Sequence, residues 1–158
     1  MVYLGEKIFN EKEMNKFIRS FLIFFLFVLL IMVRAYLAPY FYDPLNNYFK
    51  NDYLYMGIPK LDFVNYFMNI LLRFTINSGI SLIIIYLIFK DLKGVRFAVK
   101  FYSLSFIVLG LFLFILLKYN ISNDYMLAFY VRRFLIHPIF LLVLVPAFYF
   151  QKLKLKTK

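Results

Sequence analysis

The chain has 158 residues, enough for one domain, but 64% of them are hydrophobic and the mean hydropathy is +0.77, far above the roughly 45–50% apolar content of soluble domains. A water-soluble fold of this length has too little interior to hide so much apolar surface, so composition excludes one. The net charge of +11 would suit nucleic acid, but the lysines stand at the ends of apolar runs, where membrane topology and anionic headgroups account for them and a nucleic-acid face does not.

Four apolar blocks follow in chain order, each near the ~20 residues needed to cross a hydrocarbon core ~30 Å thick. The first, about 17–37, "FIRSFLIFFLFVLLIMVRAYL", is bracketed by Arg19 and Arg34, whose stems can snorkel toward the interfaces. It is not read as a cleaved signal: Glu6, Glu11 and Glu13 precede it, and "RAYLAPY" offers Tyr36 where a cleavage site wants a small residue. The second block is about 63–89, with Arg73 as its one formal charge; the third is about 101–117 and the fourth about 126–150. None alternates as a barrel strand does, so all are expected to be helices. The expectation is a single all-α membrane domain over 1–158, a bundle of four antiparallel transmembrane helices.

Lysine and arginine near the span ends set the orientation. Lys7, Lys12, Lys16 and Arg19 precede the first span; Lys90, Lys93, Arg96 and Lys100 join the second to the third; Lys152, Lys154, Lys156 and Lys158 end the chain. The other two connections hold Lys50, Lys60 and Lys118, with Arg34 at the edge. Both termini are therefore expected in the cytoplasm, with 36–62 and 118–124 outside. The outer loop, about 38–62, is rich in Tyr, Asn and Pro, with turn signals at Asp43, Pro44, Asn46 and Asn47. Two readings stand for it, a structured loop lying on the membrane surface with its rings partly embedded, and an ordinary connector with aromatic anchors.

In this topology Arg34, Arg73, Arg132 and Arg133 all approach the outer leaflet. His137 is four residues past Arg133, hence one turn deeper on the same helical face. Asn65, Asn69, Arg73, Asn77 and Ser81 recur every fourth residue, a polar stripe that should face protein rather than lipid. Pro138 and Pro146 should each bend the last helix locally. Ser78 and Gly79 suggest a close helix approach or a bend. Charged side chains at the bilayer centre cost about 2.5–3.5 kcal/mol on insertion scales, and no carboxylate lies inside a span to neutralise these. Two readings remain: pairing with outer aspartates (Asp43, Asp52, Asp62, Asp124), lipid phosphate or carbonyls, or a basic layer that receives an anion or an acidic partner. Arg73, Arg132, Arg133, His137, Asn69, Asn77 and Arg34 are the candidate residues of that polar site.

Catalytic machinery is not legible. There is no cysteine and a single histidine, so no Cys–His pair, and the outer aspartates lack metal-ligand spacing. A glycine-rich phosphate loop is missing from the five glycines. No metal and no cofactor is expected.

Two stretches carry a resemblance: "FYDPLNNYFKNDY", following an "RA" at the end of the first span, and "YVRRFLIHPIFLLVLVPAFYFQK" near the C-terminus, with "RFTINSGISLIIIYLIFKD" between them. Over most of 34–152 the chain resembles the small exosortase F-associated membrane proteins of Bacteroidetes. That resemblance implies a multi-pass protein of the cell inner membrane, non-catalytic and accessory to an exosortase, a transpeptidase that processes sorting signals of exported proteins. The expected partners are then membrane lipids and an exosortase-like protein. The alternative is an independent binder or carrier of an anionic lipid or lipid-linked substrate. A small channel is disfavoured, because the polar stripe is confined to one helix.

Overall fold

The computed structural model describes residues 16–52, 60–119 and 125–156. Helix α1 spans Lys16–Tyr36, and a 3-10 turn at Ala38–Tyr40 leads into a short helix α2, Pro44–Asn47, followed by a π-type turn at Tyr48–Asp52. Helices α3 (Phe63–Phe89), α4 (Leu92–Tyr119), α5 (Tyr125–Ile136) and α6 (Ile139–Lys156) complete the chain. The described residues form an all-helical protein with three helices long and apolar enough to cross a membrane, or four spans if the bent pair α5–α6 counts as one.

Helix α3 is the hub. Its 27 residues rise about 40 Å, and α1, α4, α5 and α6 all pack on it. Tyr66, Ile70, Phe74, Ile84 and Ile85 are buried there, against Leu26 and Leu30 of α1, Tyr102 and Leu113 of α4, and Leu135 and Leu141 of α5 and α6. Lipid tails are as apolar as leucine, so such helices adhere by close packing and polar contacts rather than by escape from water. Rings provide much of that packing: Phe74 lies 4.9 Å from Phe106 and 5.9 Å from Tyr102, and Tyr102 lies 5.8 Å from Phe140. Tilted and edge-on ring pairs of this kind are each worth about 0.5–1.5 kcal/mol.

Asp62 caps the N-terminus of α3, its carboxylate accepting from the Asn65 N–H at 3.3 Å. Lys90 ends the helix in the left-handed region, φ 50°, and Asp91 caps α4 through Lys93 N at 2.9 Å and Gly94 N at 3.1 Å. With only Lys90 and Asp91 between them, α3 and α4 must run antiparallel. The basic segment 92–100, expected as a connection, is helical; the local cap and turn chemistry extends α4 well beyond the apolar block 101–117.

Three further expectations are corrected. The fourth block is not one gently kinked helix: it breaks at His137–Pro138, and its halves meet at 62°. Pro146, by contrast, sits inside α6 without interrupting it. The Ser78–Gly79 pair is not a close-approach site, since a Cβ on Gly79 would meet nothing within 4 Å; Ser78 turns its hydroxyl onto its own helix, to Phe74 O at 2.6 Å. The outer loop does not simply rest on a surface either. Leu45 and Tyr48 are buried in the bundle, and Phe49 meets Phe129 of α5 at 5.2 Å. Tyr36, Tyr40 and Tyr42 remain exposed, as an interfacial belt requires. The loop's later part, 53–59, lies outside the described residues, as do 120–124.

Candidate functional site

The site begins with Asp43. It occupies the N-cap position of α2 with proline next in sequence, an arrangement in which an aspartate ordinarily caps its own helix. Its backbone carbonyl accepts from Asn46 N at 3.1 Å, but its side chain makes no cap hydrogen bond. The carboxylate turns inward instead, its side chain only 5% exposed. Arg73 of α3 donates from Nη1 to Oδ2 at 2.7 Å. Arg132 of α5 closes a two-pronged contact, Nε to Oδ1 at 3.2 Å and Nη2 to Oδ2, the fork geometry that suits guanidinium to carboxylate.

This aspartate corrects the idea of an uncompensated basic layer: Arg73 and Arg132, both buried, share one carboxylate. Of the outer aspartates whose side chains are described, Asp43 is the counter-ion, whereas Asp62 is spent on a helix cap. Asp52 and Asp124 lie among side chains outside the described set. The loop that carries Asp43 is held by Asn69, whose Oδ1 accepts from Tyr42 N at 3.1 Å while its Nδ2 donates to Asn65 O at 2.8 Å. The neighbouring Phe41 ring lies under the Arg73 guanidinium, 4.8 Å from centre to Cζ, a cation–π contact.

Asn77 serves the opposite side of the site. Its Nδ2 donates to Ile136 O at 2.7 Å, taking up one of the unpaired carbonyls at the end of α5, while Pro138, lacking an N–H, leaves Phe134 O without its helical donor. The break in α5–α6 is thereby tied to α3 directly below Arg73. His137 keeps its turn relationship to Arg133, donating its backbone N–H to Arg133 O at 3.0 Å, and then the chain swings away. Asn69 places the aspartate, and Asn77 places the helix that bears Arg132 and Arg133.

Above these contacts is a cavity of about 430 Å³. Arg34 of α1, Lys50 of the loop, Arg73 and Asn77 of α3, and Arg132, Arg133 and His137 of α5 and its break line it, together with Phe41, Phe49, Phe129 and Pro138. The structure therefore brings Arg34, Arg73, Asn77, Arg132, Arg133 and His137 to one place, with Asn69 one step behind. The two adjacent arginines divide: Arg132 is buried in the ion cluster, while Arg133 is exposed and lies over the Phe129 ring at 5.0 Å. Arg34, Lys50 and Arg133 have no carboxylate within ion-pair distance among the described residues. Among the described residues, three cationic side chains of the cavity, Arg34, Lys50 and Arg133, are thus left without a carboxylate, a local positive charge that favours an anion.

Sequence reading left out of the site Lys50, the three phenylalanines of the wall, and Asn46, which also lines the cavity and was read as a turn residue. Only the tertiary path of the loop reveals them; "YDPLNNY" signals a turn without saying what the turn leans on. Among the described residues no three His, Cys, Asp or Glu side chains group as a metal site would. Compared with known proteins, the chain matches no family model, no curated sequence and no solved structure.

Proposed function

We propose that this protein is a non-catalytic accessory component of an exosortase-type protein-sorting system in the cell inner membrane, and that its basic cavity receives an anionic group at the outer-leaflet level. The supporting observation is that the two stretches resembling exosortase F-associated proteins, "FYDPLNNYF" and "YVRRFLIHPIF", build one and the same cavity, joined where Asp43 meets Arg132. Residues far apart in the chain are thus committed to a single polar centre, inside a domain that is otherwise apolar. Intramembrane charges of this kind carry a cost that a merely structural helix contact does not require. The lysine and arginine distribution supports the outward direction of the cavity.

The role is one of binding. The cavity offers guanidinium, ammonium, amide and imidazole groups but no thiol, so the cysteine chemistry of an exosortase would be supplied by the partner. Co-expression with an exosortase and purification in mild detergent, with and without a crosslinker placed at exposed Tyr40, tests the association. Recovery of the enzyme, together with impaired sorting in Arg133→Gln, is the expected outcome. If the enzyme is recovered under neither condition and sorting survives substitution of both Arg132 and Arg133, the reading fails.

A further inference from the structure

The geometry points to a phosphate-bearing anionic membrane lipid as the group that the cavity takes, entering sideways from the bilayer between α1 and the α5–α6 break. This rests on the reading above that the cavity binds an anion, and it names the class of that anion.

The argument starts from how the cavity walls are held. Helix α1 packs on α3, and α5 packs on α3 and α4, so the α1 wall (Val33, Arg34) and the α5 wall (Phe129, Arg133, Ile136) face one another across the site, with α3 as its back. Below the basic rim both sides continue as exposed apolar surface, Phe27 and Ile31 on α1 and Leu142 and Val143 on α6. A soluble anion has no use for such a surface, whereas a lipid has its phosphate and its chains attached at that spacing.

The cations sort by role in the same sense. Arg73 and Arg132 are held by Asp43 and give the site a rigid positive back wall. Arg34, Lys50 and Arg133 are exposed and come from three different segments, as groups that close on a headgroup from several sides would. Arg34 lies in the last turn of α1, the depth at which a headgroup phosphate meets a span end. Phe41, Phe49 and Phe129 supply apolar walls for the glycerol region. Guanidinium forks match phosphate oxygens better than a lone ammonium does, and two of the three exposed cations are arginines.

The full-length protein in phosphatidylcholine nanodiscs can be titrated with phosphatidylglycerol or phosphatidic acid and the retained lipid counted by native mass spectrometry. Parallel arms use inorganic phosphate and a synthetic Asp/Glu-rich peptide. One anionic lipid should be retained over phosphatidylcholine, and Arg34→Gln with Arg133→Gln should weaken retention by at least about tenfold, as loss of charge-assisted hydrogen bonds implies. Both positions are exposed and outside the Asp43 cluster, so circular dichroism should show an unchanged fold. Lys93→Gln with Lys152→Gln, at the other end of the bundle, should leave retention unchanged. Equal retention by wild type and the arginine variant, or equal loss in the lysine variant, overturns the lipid assignment. Binding of phosphate or of the peptide without lipid also overturns it while leaving an anion site intact; binding of none of the three removes the anion site and with it the cavity's role in the proposed function.

Discussion

Asp43 decides the chemistry of the site at the scale of a single residue. Without it the buried Arg132 guanidinium would face a desolvation cost that neither aromatic walls nor backbone carbonyls offset. Asp43→Asn keeps the shape and removes the charge, so it should destabilise the fold by about 3–5 kcal/mol, read as the midpoint of unfolding in a denaturing-detergent titration. Arg132→Gln should also destabilise, because it removes the fork that holds both carboxylate oxygens. An unchanged midpoint in Arg132→Gln would show that the fork is not what holds the loop. Sequence alone left four outer aspartates, lipid phosphate and backbone carbonyls as partners and could not choose, since the choice depends on a loop folding back over α3 and α5. The nearest local signal, an aspartate before proline, pointed to a helix cap that the side chain does not make.

The scale of the element explains why some spans were legible and one was only half so. Helices α1 and α3 follow their apolar blocks closely, because about twenty apolar residues in lipid have no backbone alternative to the helix. The polar stripe of α3 faces protein at Arg73, Asn77 and Ser81, which are buried, and emerges at Asn65, which is exposed. Helix α5–α6 is apolar enough for one span, but Pro138 removes a donor and Asn77 reaches over to occupy the carbonyl of Ile136. A proline was expected to bend the helix locally; the partner across the gap is what stabilises a full break, as Pro146, interior to an unbroken α6, illustrates. Gly79 gives the opposite lesson. With open space around its Cα, Gly79→Ala should be tolerated and stabilise by up to about 1 kcal/mol through helix propensity. A loss of stability in the same titration would mean that a partner protein or a bend needs that position bare.

For the molecule as a whole, the bent pair α5–α6 governs the topology. Three spans with a re-entrant pair would carry Lys152 and Lys154 to the outer face, against the charge rule; a fourth, broken span keeps them with Lys93, Arg96 and Lys100. The expectation is four crossings. A reporter fused after Lys158 should therefore behave as cytoplasmic, and cysteines placed at 34 and 133 should label from the opposite face. Labelling of position 133 from the cytoplasmic side would dismantle both the topology and the outward cavity.

Composition and block length by themselves determined that this chain is a helical membrane protein and roughly where its long helices lie, and led to the expectation that four of its six arginines, Arg34, Arg73, Arg132 and Arg133, gather toward one end. Those properties follow from local energetics, the cost of bare backbone and bare charge in hydrocarbon, which each segment meets independently. Only the tertiary structure decided that Asp43 neutralises two of the arginines, that Arg132 and Arg133 have different fates, and that the last block is broken. Each of these depends on contacts between residues 30 to 89 positions apart, and such contacts are fixed by how helices pack, not by what any one segment prefers.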